Sequence, residues 1–138
     1  LVSLEKKMFL LPKRLFVVKN KLFVSFNMGN IPRDMRVTST ILHLPLLKSV
    51  TPINAYMKEI ITAWNEKGIK VGNFPTCSTV KQILKCAPMQ RELVVDITPF
   101  GKKWILSRKY NHGIYIELEK KNIKYLENNP PFLIVDTV

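Results

Sequence analysis

Acidic side chains are scarce in this sequence: 10 Asp and Glu stand against 22 Lys and Arg, a net charge of +12 over 138 residues. Such an excess repels itself in the compact state and is best tolerated beside an anionic partner. Nucleic acid or an anionic membrane surface is therefore the default partner class. Cysteine is nearly absent. Cys77 and Cys86 are too few for a disulfide scaffold and fit a reducing compartment, although one bridge between them agrees with the count. Packed as small apolar groups, they need no further role. His43 and His112 complete the thiol and imidazole inventory, with no C-x-x-C or H-x-x-x-H spacing, so no metal and no cofactor is expected. The five glycines form no phosphate cradle, and G-x-S-x-G, Walker and G-x-G-x-x-G patterns are missing. Most acids sit beside a base, as Glu59 beside Lys58 and Glu119 beside Lys120, like solvated charges rather than an acid/base pair. An enzyme and a small-molecule substrate are not expected. No apolar run approaches the roughly 18 residues of a membrane span. The stretch 41–50 is broken by His43, Pro45 and Lys48, so no membrane partner is expected either.

Hydrophobic residues make up 46% of the chain, enough to bury a core. Residues 1–30 read as a basic N-terminal extension, with Lys6, Lys7, Lys13, Arg14, Lys19 and Lys21 against Glu5. This fits an organellar extension or an arm lying on RNA. The first residue is Leu1 rather than Met, as in a processed product or a stretch of a longer chain. Within this segment, 15–18 and 22–26 flank Lys19-Asn20-Lys21 as a hairpin, with Asn20 in a left-handed turn position. Asp34 is placed to cap a helix through Val37, Ile41 and Leu42, ending at Pro45. Thr51 as N-cap and Pro52 at the first turn open a helix over 52–67. Its apolar face is Ile53, Met57, Ile60, Ile61 and Trp64, and Gly68 ends it with positive φ. Val80, Ile83 and Leu84 suit a short helical turn between the cysteines. Beyond Glu92 the pattern predicts a strand at 93–97, a turn at 99–102 and a returning strand at 103–106. A polar loop at 107–113 then leads to a strand at 114–117. A short helix at 119–127 with Ile123 and Leu126 inward precedes a last strand at 132–135.

The segment 102–115 is the strongest functional candidate. Lys102, Lys103, Arg108, Lys109 and His112 supply cations for phosphates. Ser107 and Asn111 add directional hydrogen bonds, and Tyr110 and Tyr115 offer rings for stacking on a base. The plainer reading is an ordinary solvated hairpin loop.

The order of elements resembles the small-subunit ribosomal protein eight family over about 52–138. Three places carry it. Pro52 to Gly68-Ile69 has the spacing of that family's proline-opened helix, with Lys67 in place of an acid. Ser107, Arg108 and Tyr115 match a family Ser-Lys-Pro-Gly-Arg-Arg-Val-Tyr motif, while Tyr110, Asn111, His112 and Gly113 depart from it. Ile123 and Leu126, then 132–137, match a helix followed by an apolar strand ending in Ser-Thr. Asp136 replaces that serine and Thr137 matches the threonine. The family's Gly-rich terminal segment would lie beyond Val138.

The resemblance implies an α+β fold of two small lobes: an N-terminal helix-on-sheet lobe at 31–91 and a C-terminal, mainly β, rRNA-binding lobe with a short helix at 92–138. It implies a structural constituent of the small ribosomal subunit that binds central-domain rRNA beside neighbouring ribosomal proteins, with Thr137 as a further RNA contact; the basic N-terminal arm and the divergence from the family point to a mitochondrial location. Two alternatives belong to other classes. One is a protein–protein adaptor docking through a hairpin edge strand. The other is a small nuclease with Asp96 and Asp136 holding a metal.

Overall fold

The computed structural model describes residues 5–119 and 121–138. Burial along the chain alternates with a period of two, as it does when one face of a strand meets a core and the other meets water. In the last strand, Leu133, Val135 and Thr137 are buried while Phe132, Ile134 and Asp136 are half-exposed. The described residues hold nine strands: β1 Lys6–Leu10, β2 Pro12–Val18, β3 Lys21–Phe26, β4 Val37–Pro45, β5 Ile53–Glu59, β6 Gln82–Cys86, β7 Glu92–Asp96, β8 Ile114–Leu118 and β9 Phe132–Thr137. They pair antiparallel into a four-stranded sheet, β1-β9-β4-β7, and a five-stranded sheet, β2-β3-β8-β5-β6.

The inner faces meet in one core. Leu42, Leu44, Leu133 and Val135 come from the smaller sheet, and Leu22, Val24, Phe26, Met57, Ile114 and Ile116 from the larger. Helix α2, Thr98–Leu106, adds the fully buried Trp104. A 3-10 turn, Lys124–Glu127, adds Leu126, and Tyr125 donates its hydroxyl to the Pro45 carbonyl at 2.8 Å. The segment 60–77 makes a partial third layer: Ile60, Trp64 and Ile69 cover Phe16, Phe23 and Tyr115 on the outer face of the larger sheet. This is why β3 is buried at five successive positions, 22–26, instead of alternating.

The expected two-lobed α+β fold with an N-terminal helix on a sheet is therefore wrong; the chain is a two-sheet β structure with one nine-residue helix. Strands from all three expected segments pair with one another, β1 with β9, β3 with β8 and β4 with β7. The helix expected over 52–67 is β5 followed by a loop. Ile53 and Met57 are four apart, a spacing that satisfies both the helical period and the strand period. The strand period also places Ala55 inward, and Ala55 is fully buried. Gly68 lies inside a five-residue helix, α1 Glu66–Lys70, whose N-cap Asn65 accepts from the Gly68 amide at 2.7 Å. The positive-φ glycines are Gly72 and Gly113.

The helix expected after Asp34 is β4, and the helical turn expected at 80–84 falls on β6. Of the helix expected over 119–127, Lys120 lies outside the described residues, and the helical part is the 3-10 turn. The hairpin at 15–26 forms with β2 and β3, but Lys19, not Asn20, takes the left-handed position. β7, β8 and β9 stand where strands are predicted.

The turn and strand expected over 99–106 are α2. Pro99 sits in its first turn, where a missing N–H costs nothing. Asp96 receives both the amide and the hydroxyl of Thr98, which also holds its carboxyl below the usual carboxylate range. Asp96→Ala should lower stability by about 1 kcal/mol in urea unfolding. Because the folded pKa is depressed, that contribution is present above the ordinary Asp pKa and fades as the pH falls through the folded value. A full-sized effect persisting at pH 2 would contradict the role of these two hydrogen bonds.

Candidate functional site

Helix α2 ends at Leu106, and its last turn hands the chain to a short loop. Arg108–Tyr110 form a 3-10 turn, Asn111 donates its amide to the Phe26 carbonyl at 2.8 Å, and Gly113 turns into β8 with φ +86. The loop is pinned at the end of β3, and its cations project around it.

The expected site residues divide into five groups. Arg108, Asn111 and His112 line a cleft of about 460 Å³ together with Lys13, Arg14, Ser25, Asn27 and Trp64. Lys109 and Lys103 lie over the Tyr110 ring, at 5.1 and 5.6 Å from its centre, and Lys103 also reaches both oxygens of the nearly buried Glu59 at 3.1 Å. Lys102 stands apart, lining a groove with Arg33 and Arg36. Ser107 caps the end of α2 with its backbone amide on the Lys103 carbonyl at 3.1 Å.

Two expected contacts are structural. Thr137 is buried in β9 and donates to the Lys6 carbonyl at 3.3 Å. Tyr115 packs on Phe23 with ring centres 5.2 Å apart and gives its hydroxyl to Glu117 at 2.6 Å. Burial, then that bond, pushes the Tyr115 hydroxyl pKa far up. Neither offers a free group to RNA.

The cleft's other wall comes from the basic N-terminal segment. Lys13 and Arg14 belong to β2, about 95 residues before Arg108, and the β2-β3-β8 pairing brings them together. Arg14 is held by a 2.9 Å bond to the Trp64 carbonyl, and Trp64 donates its indole N–H to the His112 carbonyl at 2.7 Å. None of the cleft's lining residues is acidic.

A second surface lies on the far side. The outer face of the four-stranded sheet carries rows set by register. Lys7, Asp136 and Ser39 form one row, joined by a 3.3 Å ion pair and a 2.9 Å hydrogen bond. Phe9, Ile134, Ile41 and Asp96 form the next, and Phe132, His43 and Val94 the third. Phe132 stacks on Phe9 at 4.6 Å and on His43 at 4.8 Å, and His43 meets Glu92 at 3.1 Å. Phe9 is 59% exposed and Val94 53%.

Asp96 and Asp136 are engaged with Thr98 and with Lys7 and Ser39, and no group of three His, Cys, Asp or Glu converges among the described residues. Cys77 and Cys86 are free thiols whose pKa burial raises, which disfavours the nucleophilic thiolate. No helix among the described residues is long and apolar enough to cross a membrane. No protein-family model matches the chain, and no curated protein matches it.

Proposed function

We propose that this chain is a non-catalytic binding module that docks another protein on the outer face of its four-stranded sheet. The supporting observation is the apolar stripe from Phe9 and Phe132 through Ile134 and Ile41 to Val94. A sheet with one face in water ordinarily alternates to polar residues there, and contiguous apolar patches mark contact sites. Partly exposed aromatic rings held by stacking are suited to anchor such an interface. The border sets the partner's chemistry. Three of the chain's 10 acids, Glu92, Asp96 and Asp136, stand on this face, against Lys7. The partner is a protein with an apolar strip bordered by Lys or Arg opposite Glu92 and Asp96.

A second reading is a structural constituent of a small ribosomal subunit, mitochondrial, bound to rRNA and neighbouring ribosomal proteins. Its support is the net charge of +12 and the likeness of the 107–115 loop to that family. The helix that anchors the likeness at Pro52 is a strand here and lends it nothing.

The two readings separate in one experiment on chain isolated from its native source. Carbodiimide cross-linking, mapped by mass spectrometry, should join Glu92 or Asp96 to lysines of one protein partner. Those links should survive nuclease and fall about tenfold or more with Phe9→Lys plus Val94→Lys, two exposed changes that leave the core intact. Nuclease-sensitive association with small-subunit rRNA, without such links, would overturn the protein reading in favour of the ribosomal one.

A further inference from the structure

We infer that the cleft between β2 and the 107–113 loop is a binding site for a phosphate group. It lies apart from the apolar sheet face and does not depend on what docks there. Lys13, Arg14 and Arg108 converge on one concavity, and none of them has a carboxylate partner among the described residues. Three cations gathered without an acid repel one another, and an anion seated between them removes that repulsion.

Arg14 is held in place by the fold, and Arg108 lies against a turn on the opposite wall. Arg14 is fixed through Nη1 to the Trp64 carbonyl at 2.9 Å, leaving its other N–H groups for a ligand. The Arg108 guanidinium lies over Gly29, with Nη2 3.5 Å from where a Cβ would stand on that glycine. That is ordinary van der Waals distance, and it places Arg108 beside the Asn27 to Asn30 turn. Two guanidinium forks lining one cleft suit a tetrahedral oxyanion, which accepts paired N–H bonds from each.

Size and polarity agree. The cleft holds about 460 Å³, room for a phosphate together with the sugar that bears it. Ser25, Asn27 and His112 line the remaining wall and offer polar atoms to that sugar. The expectation from sequence placed RNA contacts along 102–115 and at Thr137; of these, Arg108, Asn111 and His112 line the cleft, and Lys13 and Arg14 join them from the opposite end of the chain.

The test is a titration of the full chain followed by NMR at the arginine Nε–H groups and the Gly29 amide. Inorganic phosphate and a short single-stranded oligoribonucleotide are added separately. The Arg14, Arg108 and Gly29 signals should shift together and saturate. An oligonucleotide binding at least about tenfold tighter than phosphate, and weakening with salt, identifies the phosphate of a polymer; equal affinities identify a free-ion site. Lys13→Gln with Arg108→Gln, both exposed, should weaken binding about tenfold or more without altering the unfolding midpoint. Unshifted arginine signals with both ligands, or unchanged affinity in the folded double variant, would overturn the site.

Discussion

Trp104→Ala is expected to lower stability by about 3–5 kcal/mol, the range for emptying a buried aromatic site. Trp104 is fully buried, lies in the central core cluster and stacks with Phe100, one turn earlier in α2, at 6.1 Å between ring centres. Its surroundings resist collapse. On one side is β4, whose Thr40 is fully buried and sits against Gly101 of the same helix. A domain of this size has about 5–15 kcal/mol in total, so the loss is a large share of it. Trp104→Phe separates the causes. It keeps a ring and removes an indole N–H that is buried without a protein partner. Burying such a donor costs about 1–3 kcal/mol, which offsets part of the lost packing. The phenylalanine variant should therefore lose less than half as much. Urea unfolding followed by circular dichroism measures both. A loss below about 1 kcal/mol in the alanine variant would mean that α2 rests on the core without belonging to it. The effect should also reach the cleft, because α2 carries the loop that presents Arg108.

The strands that could be read from sequence are those whose apolar residues form short runs bounded by turn or polar residues. β7, β8 and β9 do so, as does the hairpin of β2 and β3, where a polar turn separates two apolar runs. The misread elements carry signals shared by two structures. Ile53 and Met57 suit either period, and Glu59 at an inward position looked like a solvated helix residue. Its place is maintained by Lys103, 44 positions away in sequence. Pro99-Phe100-Gly101 is turn chemistry, yet a proline also fits a helix's first turn. Gly101 is needed for close approach to Thr40 rather than for a bend. No local pattern reports that approach.

The candidate cleft was half legible for the same reason. Arg108, Asn111 and His112 sit in one polar run and announce themselves. Lys13 and Arg14 looked like part of a diffuse basic arm, because the pairing that folds this arm into both sheets is set by distant strands. The packing of Thr137 and Tyr115 was not legible, because strand alternation and a third layer decide their exposure, and neither shows in residue type.

Gly113→Ala should be more damaging than a glycine replacement usually is, with a loss above about 4 kcal/mol, in the exceptional range for one substitution. Two costs add. Gly113 has φ +86, where an L side chain is strained by about 1–3 kcal/mol. An added Cβ would also strike the Val24 carbonyl oxygen and come within 2.8 Å of the Ser25 Cα. Those atoms are backbone of β3, buried on both faces, and cannot swing aside as a side-chain tip would. Relief means prising β8 from β3, which would also strain the bond from the Ile60 amide to the Gly113 carbonyl at 3.0 Å. Gly72 supplies the control within the same chain. It has the same φ of +86, and a Cβ there meets nothing within 4 Å. Gly72→Ala should therefore report the backbone strain alone, and the difference between the two variants the close approach of β8 to β3. That difference matters for the cleft, since Asn111 and His112 precede this contact and depend on it for their position. Equal losses in thermal and urea unfolding would mean that the loop is not seated on β3, and the cleft would lose its support with it.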